Sequence, residues 1–287
     1  MDKRTMLGRT AMRGAFDTRK RVGLTYDVPV CVYGIVEKLG VSLWLQGGGS
    51  FGGMYVKSAN AIFVPSLRPA PRQAFTCAHE LGHWYYGHGS KLDAYKENVD
   101  CGERDDEERL ADLFAGHLLM PPKAVAKAFN VRKISADACS PIDFFRVVSQ
   151  LGVGYTTLLS HMRWTQQSIG QASYEQLMRS SPKKIRSELL GFLDSDPGHL
   201  VLVDEQWGDI PVDLQVGQVA IVPPNTIVRG ANIVVVRKTN FETVVRAESP
   251  GISAIGCQNG WSSFVRVSRR NFEGRSIYRH LEEVEDE

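Results

Sequence analysis

The spacing of hydrophobic and polar positions changes several times along the chain, and each change marks an element. Val32, Ile35, Val36 and Leu39 recur at helical spacing within Val28–Gly40, and Gly40 stops the run. Val41-Ser42-Leu43-Trp44-Leu45 alternates as a strand. Gly47 to Gly53 reads as a glycine-rich rim or turn, without the fingerprint or Lys-Ser/Thr ending of a phosphate loop. Met54–Lys57 and Ala61–Pro65 form a predicted hairpin that turns at Ser58-Ala59-Asn60. Pro69 and Pro71 delay the next helix until about Arg72. The polar, acidic stretch Ser90–Asp106 is a surface connection. A second helix runs from about Asp105 to Met120, with Leu110, Leu113, Phe114 and Leu118 as its apolar stripe. Asp105 and Asp106 suit its N-terminal dipole, and Pro121-Pro122 ends it.

Residues 123–180 are helical in pattern. Pro141–Gln150, the turn Leu151-Gly152-Val153-Gly154 and Tyr155–Trp164 together look like a helix-turn-helix. The second helix carries only His161 and Arg163 as cationic groups, too few to neutralise a phosphate backbone. Structural support or substrate docking is therefore preferred there to DNA reading. After Ser181-Pro182-Lys183-Lys184, a short helix to Leu193 and the turn Asp194–Gly198, the period becomes that of strands. Six are predicted: His199–Val203, Gln218–Val222, Ile233–Arg237, Thr243–Glu248, Ile252–Cys257 and Ser262–Val267. The fold class is α+β, divided as residues 1–125, a helical region 126–182 and a β-rich domain 183–287.

Composition narrows the setting. The 287 residues are 43% hydrophobic and 23% charged with a net charge of +2, so no global field demands nucleic acid. Five scattered cysteines without a C-x-x-C pair argue against a disulfide framework or zinc ribbon. The N-terminus lacks a secretory h-region, and no run approaches the ~20 apolar residues of a membrane span. These features point to a reducing cytoplasm and no membrane partner. Residues 1–27 are basic, and a helix packed along its own domain is expected rather than a nucleic-acid arm. Arg266, Arg269, Arg270, Arg275 and Arg279 before the acidic Glu282–Glu287 read as a solvated surface with intrachain pairing.

The chemistry lies in Arg72–His88, RQAFTCAHELGHWYYGH. His79 and His83 stand four apart, which on a helix places both imidazoles on one face within reach of one tetrahedral ion. Glu80 can reach a water on that ion as general base. A third protein ligand is required, and Glu108 on the second helix supplies it. Asp112, one turn further, accepts the free ring N–H of a ligand histidine. Tyr85, Tyr86 and His88 are candidate oxyanion donors. His88 is five residues past His83 and a poor third ligand, while His117 falls on the face opposite Glu108 and reads as structural. Gly82 costs about 1 kcal/mol inside a helix, so close approach of another backbone is expected there. Either strand of the 54–65 hairpin can serve as an edge for a peptide substrate.

RQAFTCAHELGHWYYGH followed by E-x-x-A-D-L-F-A-x-x-L-L-M-P resembles the ImmA/IrrE family of zinc metallopeptidases, over roughly residues 28–122. The resemblance implies a gluzincin-like, zincin-type domain with a small sheet and two metal-binding helices. It also implies an intracellular site-specific endopeptidase acting on a regulatory protein, typically a helix-turn-helix repressor, in transcription regulation or stress response. Zn²⁺ is the implied metal, and Mn²⁺ or Fe²⁺ suits the same donors. The competing reading is a non-catalytic regulator, or an antitoxin-like partner of a toxin, that binds protein or DNA. A complete His-Glu-x-x-His set speaks against it, because a scaffold has no use for Glu80.

Overall fold

A computed structural model describes residues 3–48, 52–88, 106–191, 199–258 and 260–281. The elements run α1 (Lys3–Arg21), α2 (Val32–Lys38), β1 (Ser42–Gln46), β2 (Met54–Val56), β3 (Ala61–Pro65), α3 (Ala70–Tyr86) and α4 (Asp106–Leu119). There follow α5 (Pro122–Asn130), α6 (Pro141–Leu151), α7 (Tyr155–Ser160), α8 (Gln171–Met178) and α9 (Pro182–Leu190). Eight strands come next: β4 (Leu200–Leu202), β5 (Val212–Gln215), β6 (Val219–Val222), β7 (Ile227–Arg229), β8 (Ile233–Lys238), β9 (Thr243–Ala247), β10 (Gly251–Gly256) and β11 (Ser262–Ser268). The last is β12 (Gly274–Arg275). The class is α+β, as the residue pattern predicts. The Ser90–Asp105 connection with Cys101, part of the Gly47–Gly53 turn, the Asp194–Gly198 turn and the acidic tail from Glu282 lie outside the described residues.

The chain separates into two compact units. The first comprises Met1–Ala128, Leu151–Ile169 and Glu273–Ser276; the second comprises Phe129–Gln150, Gly170–Phe272 and Ile277–Glu287. The first unit holds a sheet ordered β12-β1-β3-β2. β1 and β3 are parallel, and β2 runs antiparallel to β3, pairing Met54 with Phe63 and Val56 with Ala61. Asn60, at φ 45°, closes the hairpin in the left-handed region that asparagine tolerates. β3 is internal, so among the described residues the hairpin offers an edge through β2 and not through β3.

The basic N-terminal stretch is a packed helix. Ala11, Gly14, Ala15, Thr18 and Arg19 are the buried positions of α1, spaced by three and four. Arg19 is fully buried. Its Nε and Nη2 donate to the carbonyl of Leu118 at 2.9 and 2.6 Å, and its Nη1 donates to the carbonyls of Thr25 and Val28, both at 2.9 Å. Leu118 is in the last turn of α4, where carbonyls have no partner within the helix. Burial pushes the guanidinium pKa down to about 10, which leaves it charged at neutral pH.

In the same unit α4 meets the segment after α7, where His161–Gln166 takes π-helical form. His117 and His161 are both buried, with ring centroids 5.3 Å apart. Gly116 makes room for this packing, since a Cβ there would lie 2.9 Å from the His161 ring. Burial lowers the pKa of His117 to about 4. For His161, burial first and then the neighbouring His117 lower it to about 3.

The second unit contains two four-stranded sheets, β5-β11-β10-β7 and β4-β6-β9-β8. Their common core includes Val201, Val212, Leu214, Ala220, Val245, Ile255 and Val265, alternate residues of their strands. β5 and β7 are strands that the residue pattern does not predict. Arg266 forms a two-pronged ion pair with Asp213 at 2.7 Å, one instance of the expected pairing within the arginine cluster.

Two outcomes follow from these contacts. Replacing Arg19 with Met strands the buried Leu118 carbonyl and two part-buried ones, of Thr25 and Val28, and should cost about 3 kcal/mol in urea unfolding; a loss below about 1 kcal/mol contradicts the role. The lowered pKa values of His117 and His161 mean that the unfolded chain, with histidines near 6.5, binds more protons below that pH. Their stabilisation is therefore full above about pH 6.5 and falls as the pH drops towards about 4. The metal-free protein should lose up to about 2 kcal/mol per histidine between pH 7 and 5. A His117→Gln variant should show a shallower slope in the same titration.

Candidate metal centre

Helix α3 begins where prolines place it: Pro69 is its N-cap, and Pro71 sits in the first turn, where no N–H is needed. Gln73 anchors that end. Its buried amide donates to the carbonyls of Ser66 and Arg68 at 2.8 and 2.7 Å, and its oxygen accepts from the Tyr33 hydroxyl at 3.0 Å. One turn later the helix buries Cys77, Ala78, Glu80, Leu81, Gly82 and His83. Gly82 lies against α4. A Cβ on it would stand 3.1 Å from Ala111 Cα and 3.2 Å from the Phe114 ring, so the close backbone approach inferred from the sequence is present. This contact falls between His79 and His83 on one helix and between Glu108 and Asp112 on the other.

The side chains of these four residues meet there. His79 Nε2 and His83 Nε2 are 3.0 Å apart, and Glu108 Oε2 lies 3.2 Å from the first and 3.5 Å from the second. Ligand atoms bound to one tetrahedral zinc at about 2.0–2.1 Å stand about 3.3 Å apart. The observed separations bracket that figure, and the donor set of two imidazoles and a carboxylate suits a divalent ion of this kind. Among the described residues, His79, His83 and Glu108 are the cluster able to hold a metal. The ring nitrogens turned outward are also held. His79 Nδ1 is 2.9 Å from Asp112 Oδ1, and His83 Nδ1 is 2.9 Å from His88 Nδ1.

Glu80 is buried beside the start of β2. A Cβ on Gly53 would lie 2.8 Å from Glu80 Oε1 and 2.4 Å from Thr76 Cγ2. Gly53 thus leaves space for the carboxylate. In sequence Gly53 reads as part of a turn, and its one distinguishing signal is the glycine pair Gly52-Gly53 directly before a strand.

The three candidate oxyanion donors are engaged elsewhere. The Tyr85 hydroxyl donates to Asp17 Oδ2 at 2.9 Å, and the Tyr86 hydroxyl donates to the Thr10 carbonyl at 3.0 Å. Burial raises the pKa of both phenols. Both pack on Phe114 of α4 and on Gly14 of α1, where a Cβ would stand 2.4 Å from the Tyr86 hydroxyl. His88 lies on the Nδ1 side of His83, the side away from Nε2 and its neighbours.

Two glycine substitutions separate these contributions. Gly53→Val places atoms where the Glu80 carboxylate sits and should abolish activity while zinc uptake stays close to that of the parent, measured by metal analysis after dialysis. Gly82→Val forces α3 from α4, should destabilise by about 1–3 kcal/mol, and should lose zinc as Glu108 is displaced. Full metal retention in Gly82→Val contradicts the packing argument.

Residues 45–160 match the family model of the IrrE N-terminal-like domain, Peptidase_M78. No curated protein matches the chain. The matched span opens in β1, closes at the end of α7, and contains both helices of the His79, His83 and Glu108 cluster. Over these residues the chain is therefore similar to the IrrE N-terminal-like domain of the Peptidase_M78 family.

Proposed function

We propose that the protein is a zinc-dependent endopeptidase that cuts a regulatory protein such as a helix-turn-helix repressor. The reading is carried by the convergence of His79 Nε2, His83 Nε2 and Glu108 Oε2 within 3.5 Å, with a buried glutamate next in sequence to the first histidine. His79, His83 and Glu108 hold the ion, and Asp112 fixes His79 by accepting its Nδ1–H. When bound, the ion supplies Lewis acidity, lowering the pKa of water towards about 7 and polarising the scissile carbonyl. Glu80 takes the proton of the attacking water and passes it to the leaving amine. Its burial keeps the carboxylate out of bulk solvent, and Gly53 keeps space open for it. The β2 edge, preceded by Gly53 against the Glu80 carboxylate, receives the substrate as an added strand through main-chain hydrogen bonds.

Mn²⁺ or Fe²⁺ can occupy the same donors. Free thiols at Cys31, Cys139 and Cys257 fit a reducing cytoplasm. Among the described residues, no helix is long and apolar enough to cross a membrane. We assign the α6–α7 region to substrate docking or support rather than DNA reading, on its sparse cationic groups.

The test mixes the purified protein with the repressor-like product of an adjacent gene, with and without a chelator. Discrete fragments are expected from the parent and none in chelator. Glu80→Gln should bind zinc stoichiometrically and cut at least ~100-fold more slowly. Undiminished cleavage by Glu80→Gln rejects the general-base role, and fragments that persist in chelator reject the metal.

A further inference from the structure

The end of α3 is built into the metal centre. Gly87 is the residue past the last turn, with φ 72°, in the left-handed region that favours glycine. The His88 N–H then donates to the His83 carbonyl at 3.0 Å, and the Gly87 N–H to the Trp84 carbonyl at 3.2 Å. These two bonds are those of a Schellman closure, in which the chain reverses over the last helical turn. The reversal returns residue 88 to the residue whose carbonyl it caps. There the His88 ring meets the His83 ring, with centroids 5.1 Å apart, and its Nδ1 comes within 2.9 Å of His83 Nδ1.

The chemistry of this contact has one consistent assignment when His83 ligates through Nε2. A neutral imidazole that gives its Nε2 lone pair to a metal carries its proton on Nδ1. The His83 Nδ1–H must therefore donate, and His88 Nδ1 must accept. Asp112 does the same for His79 from α4. One ligand histidine is thus oriented by a carboxylate on a second helix, and the other by an imidazole that its own helix delivers through its terminator.

We propose that His88, placed by Gly87, is the positioning residue for His83: it fixes the tautomer and ring angle of that ligand and so sets the affinity of the centre. The inference rests on the metal-centre reading above. A purely structural role is the competing explanation, because the His88 ring also stacks on Tyr86 with centroids 5.7 Å apart and planes at 25°. Two substitutions separate the roles. His88→Phe keeps an aromatic ring for the stack and removes the acceptor. His88→Asn drops the ring and keeps an acceptor oxygen at the position of Nδ1.

Zn²⁺ alone is the probe, in competition with a chromophoric chelator, alongside the thermal midpoint of each metal-free protein. His88→Phe should bind Zn²⁺ ~10–100-fold more weakly with an unchanged metal-free midpoint. His88→Asn should stay within about threefold of the parent even where its midpoint falls, because Asn retains the outer-shell acceptor. Gly87→Asn, which tolerates the left-handed turn, should bind more tightly than Gly87→Val. Equal affinity of His88→Phe and the parent overturns the inference, as does a loss in His88→Asn as large as that in His88→Phe. Failure of the parent itself to take up Zn²⁺ instead sinks the metal-centre reading on which the inference stands.

Discussion

The site depends on how closely two helices approach. A ligand set drawn from separate helices needs their backbones near enough for a glutamate to reach a pair of imidazoles on the other. Gly82 against Ala111 provides that approach, with 3.1 Å from the position of a Cβ to the facing Cα. Glycine inside a helix is disfavoured by about 1 kcal/mol, so here local propensity is given up for a tertiary distance. The cost is offset around it. Phe114 packs against both Tyr85 and Tyr86, and the two phenols reach α1 through Asp17 and the Thr10 carbonyl. Arg19 of the same α1 closes the far end of α4 at Leu118. The basic N-terminal helix thus acts as a brace, with its most buried cation spent on carbonyls of its own domain.

Electrostatics explains why such a centre must be held so firmly. Three acceptor atoms within 3.5 Å of each other, mostly shielded from water, repel when all present lone pairs. A divalent cation relieves this directly. Outer-shell partners on both Nδ1 atoms stop either ring from rotating to relieve it in another way. Asp112 and His88 therefore act together with the helix contact: one fixes where the rings are, the other which atom they present.

What could be read in the sequence follows from how local each signal is. The spacing of His79, Glu80 and His83, the break at Pro69 and Pro71, and the helical stripe of α4 lie within single elements, and periodicity reports them. Glu108 and Asp112 could be named because they too stand one turn apart. The unread parts are made by distant contacts or by few residues. β12 is two residues that become a strand only by pairing Arg275 with Trp44. β5 and β7, of four and three residues, are too short to establish a period. Gly53 looked like an ordinary turn glycine until Glu80 was placed beside it. In sequence His88 reads as a candidate donor to a reacting oxygen and, five residues past His83, as a poor third ligand. The Schellman reversal at Gly87 is what brings it back, and that depends on a backbone angle rather than on side-chain periodicity.

The edge strand sets a limit on selectivity. β2 is three residues long, and side chains alternate between faces, so an added peptide strand gains only a few main-chain bonds there. Main-chain bonds carry no sequence information. A peptidase working from so short an edge holds its substrate weakly at the cleavage point and distinguishes poorly between sequences. Under the function proposed above, selective cutting of one regulatory protein would require additional contacts away from the scissile bond, whose binding energy positions the peptide on β2. On this argument the substrate is chosen by its folded surface more than by the residues flanking the cut. Short peptides copied from the cleavage site would accordingly be poor substrates compared with the intact protein.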